Sequence, residues 1–149
     1  LQAHHSVIIQ PDSYMFYAST SDYQLGRYIG YNVKEVFEKK ATINEIYIDE
    51  DPFRNSAAFA SFKNYKLVKN NITAFLSFNK ALNLSQTEVD DFIASNGENY
   101  ITFEMLGRYY LKKKNPVQAK TYFEIALTKK VASQAIREEI QELIKECKK

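Results

Sequence analysis

The sequence predicts a mainly α-helical bundle preceded by a short β-hairpin. Four glycines and three prolines are few for 149 residues, and this scarcity of helix breakers favours long helices. From Asp51 onwards, apolar side chains recur at separations of mostly three to five residues, as one face of a helix requires. Before that point, two short runs of β-branched and aromatic residues flank a turn. We therefore expect a hairpin and linker over residues 1–50 and a helical domain over residues 51–149.

The predicted hairpin lies within the first twenty residues. Its strands are residues 6–10 and 14–20, and the turn between them is Pro11-Asp12-Ser13. Because a two-stranded hairpin is only marginally stable in water, we expect these strands to pair with something outside this chain or to pack on the helices. After the hairpin, residues 33–40 have the pattern of a short amphipathic helix, and residues 43–48 that of an extended segment.

Longer helices follow, and most of them begin at a recognisable capping signal. The expected helices are 52–82, 85–95, 99–113, 116–129 and 134–147. Asp51-Pro52 and Asn115-Pro116 each place a capping side chain before a first-turn proline. Ser85 and Glu88 have the spacing of a capping box, and Ser133 can cap the last helix. The charged side of that last helix is expected to be solvated.

Residues 100–133 carry the most specific pattern in the chain. The residues that form it are Phe103, Leu106, Gly107, Tyr110, Ala119, Phe123 and Ala126. Counted from Tyr100, they agree with seven of the eight signature positions of the 34-residue tetratricopeptide repeat, and Val131 replaces the usual proline. The resemblance implies two antiparallel helices that approach closely at Gly107 and Ala119. It also implies one clear repeat between an irregular helix pair and a capping helix, a short tetratricopeptide-like bundle.

Three charged residues of this repeat are candidates for binding a partner. Glu104, Arg108 and Lys112 lie four residues apart on the first repeat helix. Where such repeats bind peptides, equivalent positions face the concave groove, and a basic pair there can hold a partner's carboxylate. The alternative is a ladder of ion pairs on a solvated face, worth a few tenths of a kcal/mol per pair. The small groove of a single repeat favours the ladder.

The first quarter of the chain has a second resemblance. It is carried by His4-His5-Ser6-Val7-Ile8-Ile9, Pro11-Asp12, a second strand, and Tyr23-Gln24-Leu25-Gly26 with Tyr28. This segment is similar to the end of the catalytic domain of the acyl-CoA:isopenicillin N acyltransferase family. This resemblance implies the last strand hairpin of an αββα N-terminal-nucleophile hydrolase, in which an exposed N-terminal cysteine transfers acyl groups or hydrolyses amides. The nucleophile of that family lies far upstream, so no catalytic residue is carried over to this chain.

Two functions follow as expectations. In the first, the chain is the C-terminal part of a bacterial acyltransferase- or amidohydrolase-like protein, inactive alone, with a helical scaffold domain. In the second, it is a stand-alone tetratricopeptide-like module that binds proteins. An upstream autocleavage site with a cysteine in the parent reading frame would decide for the first.

The side chains of this sequence indicate neither catalysis nor a metal site. His4 and His5 are adjacent, so on a strand they point to opposite faces and cannot easily share one metal ion. No cysteine lies nearby to complete a zinc set. The single cysteine, Cys147, continues the apolar stripe of the last helix, and we expect it to fill the core. We therefore predict no catalytic residue, no metal ligand and no cofactor.

Charge and hydropathy narrow the class of partner. Residues 101–149 carry eleven basic and six acidic side chains, but Lys112-Lys113-Lys114 lies at a helix end, where cations complement the helix dipole. Because this is not a basic face interleaved with aromatic residues, we predict no nucleic-acid binding. No apolar run reaches the roughly 18 residues of a membrane span. The expected partners are a protein, the upstream part of the same polypeptide, or a second copy joined through the hairpin edge.

Overall fold

A computed structural model of the chain describes residues 6–38 and 46–148. Within these ranges it contains four β-strands and six α-helices. They belong to two compact units, Leu1–Phe59 and Ala60–Lys149. The first unit holds the sheet and the second holds most of the helical residues, so the predicted mainly α-helical fold with an N-terminal hairpin is confirmed. Over the same ranges, no helix has both the length and the apolar character needed to cross a membrane.

The sheet of the N-terminal unit is antiparallel throughout. Its strands, in spatial as well as chain order, are β1 (Val7–Gln10), β2 (Met15–Ser19), β3 (Tyr28–Asn32) and β4 (Tyr47–Ile48). β1 and β2 form the predicted hairpin around a 3-10 turn at Pro11–Ser13. Tyr14 ends this turn in the left-handed conformation, with φ of 56°, and donates its N–H to the Pro11 carbonyl oxygen at 3.2 Å.

The hairpin pairs with a third strand of the same chain, whereas we expected its strands to pair with something outside the chain or to pack on the helices. β2 pairs with β3 from Met15↔Asn32 to Ser19↔Tyr28, so β2 is bonded along both of its edges. The residue pattern does not predict β3, because Gly30 interrupts its β-forming residues and glycine is depleted in strands. Glycine is needed here because a Cβ atom at this position would lie 2.8 Å from the Tyr17 ring.

The other N-terminal predictions are met in part. A short helix, α1 (Val33–Phe37), begins at the expected residue, where Asn32 Oδ1 accepts from Glu35 N at 3.2 Å. Residues 39–40 of the predicted helix lie outside the described ranges. β4 covers the end of the extended segment predicted over residues 43–48, of which 43–45 also lie outside. So do His4 and His5.

The helical unit is built from five longer helices. They are α2 (Ala57–Phe78), α3 (Gln86–Asn96), α4 (Tyr100–Lys112), α5 (Pro116–Thr128) and α6 (Gln134–Glu146). The capping box of α3 forms as predicted: Glu88 N donates to Ser85 Oγ at 3.2 Å, and Ser85 N donates to Glu88 Oε2 at 2.8 Å. Asn115 and Ser133 cap α5 and α6 through their side-chain oxygens.

The first long helix is shorter at both ends than the predicted 52–82. Asp51-Pro52 opens only a 3-10 turn, Pro52–Asn55, because Ser56 returns to an extended conformation. The Ser56 hydroxyl then accepts from Phe59 N at 3.0 Å and starts α2. At the other end, Asn79 takes a left-handed φ of 52°, the conformation that commonly terminates helices.

The core of the helical unit draws on all five of these helices. Ile72, Phe92, Leu106, Phe123 and Ile140 come from α2 to α6 in turn, and each is fully buried. α4 and α5 approach closely at Gly107, as predicted, because a Cβ atom there would be 2.5 Å from the Phe123 ring. Ala119, the other predicted small residue, is fully buried in the core.

Candidate functional site

A groove of about 340 Å³ is lined by residues of α2, α4 and α6. These residues are Leu76 of α2, Arg108, Leu111 and Lys112 of α4, and Leu143 of α6. The three leucines give the groove apolar walls, and Arg108 and Lys112 add two cations to its lining. Two of the three partner-binding candidates predicted from the sequence therefore lie in one groove. A concave site with apolar walls and a few convergent polar groups is the usual form of a binding site.

Arg108 is fixed in this groove by two carboxylates. Its Nε donates to Glu104 Oε1 at 2.8 Å, and its Nη2 donates to Glu139 Oε1 at 2.6 Å. Partial burial by itself lowers the pKa of Arg108, but the hydrogen bonds to Glu104 and Glu139 outweigh it and hold the pKa above its usual value. These contacts use two of the five N–H donors of the guanidinium. Arg108 thus links α4 to α6 with its planar head held in place.

Lys112 is held by the end of α2. Its Nζ donates to the carbonyl oxygens of Phe75 at 2.8 Å and Leu76 at 2.9 Å, and to Asn79 Oδ1 at 2.6 Å. It also lies 5.0 Å from the centre of the Phe75 ring. A cation at the C-terminus of a helix satisfies its last carbonyl groups and complements its dipole. Lys112 therefore joins α4 to α2, as Arg108 joins α4 to α6.

The ion-pair ladder weighed from the sequence forms only in its first step. Glu104 and Arg108 make the expected i,i+4 pair, whereas Lys112 turns towards α2. Two further residues complete the site, Glu139 on α6 and Asn79 after α2. Sequence reasoning placed Glu139 on the solvated side of the last helix and did not single out Asn79, because each lies more than thirty residues from its partner. The left-handed preference of asparagine at a helix end is the one signal that indicates Asn79.

A second depression, of about 420 Å³, lies at the loops before α4 and α6. Its lining residues are Asn96, Glu98, Asn99, Tyr100, Ile101, Lys130 and Ala132. Asn99 is already engaged as the cap of α4, with its Oδ1 accepting from Ile101 N at 3.0 Å. Glu98 is paired with Lys129 at 3.3 Å. The groove along α2, α4 and α6 is the better candidate because two cations and three leucines line it, and because two of the predicted binding residues are among them.

The remaining sequence predictions concern chemistry. Cys147 packs against the core of the helical unit, as predicted. Its pKa is raised above the usual value by burial and then by the neighbouring Glu146, so the thiol is kept protonated rather than activated as a nucleophile. Over residues 6–38 and 46–148, no three His, Cys, Asp or Glu side chains lie together in a way that could hold a metal ion.

Comparisons with known proteins do not extend this description. Family models, curated proteins and solved structures were each searched, and no match to the chain was found. A function for the chain therefore rests on the geometry of its own described residues.

Proposed function

We propose that the helical unit is a protein-interaction module whose groove along α2, α4 and α6 binds a peptide that carries a carboxylate beside an apolar side chain. The lining of the groove supports this proposal, since it combines two cations with three leucines. A guanidinium matches the geometry of a carboxylate and can bind it through two parallel hydrogen bonds. The leucines would bury an aliphatic side chain of the peptide.

In this proposal Arg108 is the principal ligand-binding group. Its pairing with Glu104 holds the guanidinium in one orientation, which lowers the entropy that a ligand must remove on binding. The Glu139 side chain is 58% exposed and that of Glu104 is 18% exposed, so Glu139 is the partner that an incoming carboxylate can displace. Lys112 adds positive charge to the groove. Its Nζ already donates to three acceptors at the end of α2, so in this proposal it does not bind the carboxylate directly.

The tetratricopeptide resemblance supports the same function. Of the seven matching signature residues, Tyr110 is half-buried and the other six are buried, as residues that set helix packing should be. In such repeats the first helices line the concave face, and the first repeat helix here, α4, lines the groove together with α2 and α6.

A peptide array tests the proposal. The array would present leucine-containing peptides, each with a free and with an amidated C-terminus, to the purified chain. We expect a set of peptides that bind through a terminal or side-chain carboxylate, and we expect Arg108→Gln to weaken them at least about tenfold. Arg137→Gln is the matched control, because Arg137 contacts the Leu127 carbonyl oxygen rather than the groove. Equal binding by wild type and Arg108→Gln would contradict the proposal.

The N-terminal hairpin favours a second candidate function. The segment that resembles the acyltransferase family folds as strand, turn and strand, and it continues through Tyr23 into β3. In this reading the chain is the C-terminal part of an N-terminal-nucleophile protein and has no activity alone. Incubation with amide and thioester substrates should show no turnover by the chain. Any turnover by the chain would contradict this reading, whether it persists in Cys147→Ser or is abolished by that change.

A homodimer through the hairpin edge stays a prediction for the N-terminal unit. Because β2 is paired on both sides, the edge offered by this hairpin is the outer edge of β1. It is four residues long. Unpaired strand edges of this kind can add a strand from another chain.

A further inference from the structure

One face of the N-terminal sheet is apolar throughout. The strand register places cross-strand neighbours on the same side of the sheet. This side, called face A, consists of two rows, with Val7, Ala18, Ile29 and Tyr47 in the first and Ile9, Phe16 and Tyr31 in the second. None of these side chains is charged, and none is buried. Val7, Ile9, Tyr31 and Tyr47 are between 43% and 64% exposed.

The unit that carries face A has little core of its own. Among its described residues, Met15 and Phe59 are the buried hydrophobic side chains. A sheet gains stability by burying one face against another layer, and large exposed apolar patches mark interaction sites. Face A therefore has the composition of an inner layer, although it faces solvent.

We propose that face A packs against face A of a second copy of the chain, so that the two sheets form a sandwich about a twofold axis. A twofold contact must be self-complementary, because the same surface serves both partners. Face A meets this condition electrostatically. Because none of its side chains is charged, two copies can meet without bringing like charges together.

The shape of face A also suits a second copy. On β2, the small Ala18 of the first row lies next to the large Phe16 of the second row. A twofold axis that runs between the two rows and parallel to them sets Phe16 of each copy over Ala18 of the other. Side chains of packed sheets interdigitate in this way at a sheet separation of about 10 Å.

The margin of face A has the polar character of an interface rim. The Arg27 guanidinium lies 4.1 Å from the centre of the Tyr47 ring and 3.8 Å from Asp49 Oδ1. Interfaces commonly surround an apolar centre, rich in aromatic residues and arginine, with such polar groups. The pair is neutral overall, so two copies of it do not repel each other.

The area of face A is that of a weak, transient interface. An aromatic side chain buries roughly 150–250 Å², so Tyr31 and Tyr47, about half exposed, each offer on the order of 100 Å². With Val7 and Ile9 the total is on the order of 400 Å², about half of the roughly 800 Å² that each partner buries in a standard interface. We therefore expect a reversible dimer with a Kd on the order of micromolar to tens of micromolar.

Two adjacent isoleucines provide a matched test. Ile9 lies on face A and Ile8 on the opposite face, and both are exposed in β1. The measurement is sedimentation equilibrium of the whole chain over a range of concentrations. We expect wild type to dimerise, Ile9→Lys to raise the dimer Kd at least about tenfold, and Ile8→Lys to change it less than about twofold. Pairing through the β1 edge would instead leave the two variants alike, because both keep the backbone of β1.

A second variant and a folding control make the outcome decisive. Tyr31→Glu places a charge on face A from β3 and should weaken the dimer as Ile9→Lys does. Circular dichroism should show all variants folded, and Arg108→Gln in the groove should leave the dimer unchanged. The proposal is overturned if wild type stays monomeric near about 1 mM, far above the expected Kd. It is also overturned if Ile8→Lys weakens the dimer as much as Ile9→Lys, or if a monomeric chain uses face A for a different polypeptide.

Discussion

Gly107 lies against the face of Phe123, and this contact sets the spacing of α4 and α5. A Cβ atom on Gly107 would come within 2.5 Å of two carbon atoms of the Phe123 ring. Phe123 is itself fully buried, so the ring has no free space into which to retreat. A glycine in the middle of a helix normally costs about 0.5–1 kcal/mol relative to alanine. Here that cost is offset by the close packing of two helices.

The first prediction is that enlarging residue 107 destabilises the chain. Gly107→Leu should lower the free energy of unfolding by about 1–3 kcal/mol through overpacking. Gly107→Ala should also destabilise the chain, although alanine has a higher helix propensity than glycine. Urea unfolding measures both, and Thr121→Ala, at an exposed position of α5, is the control that should stay within about 0.5 kcal/mol. An unchanged melting temperature for Gly107→Leu would show the repeat register to be wrong.

The second prediction concerns the cap that Lys112 provides for α2. Lys112→Ala removes three hydrogen bonds from the end of that helix. Because the side chain is exposed and its partners regain water, we expect a loss of about 1 kcal/mol. Hydrogen exchange should show faster opening in the last turn of α2. Lys120→Ala, which removes only an exposed i,i+4 pair with Glu124, should leave that turn unaffected; a similar effect of both changes would argue against the cap.

The third prediction is a pH dependence at the start of α3. Hydrogen bonds from the Ser85 backbone N–H and hydroxyl hold the pKa of Glu88 below its usual 4.5. The carboxylate is thus bound more favourably in the folded state, so its contribution is complete above pH 4.5 and is lost as the pH falls through the folded pKa. The stability difference between wild type and Glu88→Gln should therefore shrink on acidification. A difference that is constant with pH would exclude this role for Glu88.

The fourth prediction tests the exchange of carboxylates at Arg108. Glu139→Gln removes the more exposed of its two partners, so a peptide carboxylate no longer competes with an internal one. Peptides selected on the array should then bind several-fold more tightly, while the free energy of unfolding changes by less than about 1 kcal/mol, as is usual for an exposed ion pair. Fluorescence anisotropy measures the affinity. Unchanged affinity would mean that ligands do not use this side of the guanidinium.

Local interactions explain what could be predicted from the sequence. Ser85 with Glu88, Asn115 before Pro116, and Ser133 act within one helical turn, so their helix starts follow from neighbouring residues. The failures also have local causes. Ser56, rather than Asp51, starts α2, and the left-handed Asn79 ends it before the predicted limit.

The sequence by itself determined the order of helices, the hairpin and the close approach at Gly107, because these depend on periodicity, capping and side-chain size. Only the tertiary structure decided the partners of Arg108 and Lys112. Glu139 reaches Arg108 from α6, and Asn79 reaches Lys112 from the residue after α2, across 31 and 33 residues of chain. The tertiary structure likewise joined the hairpin to β3 and aligned seven apolar side chains on one face of the sheet. Such contacts depend on how distant segments are brought together, which no local pattern in the sequence encodes.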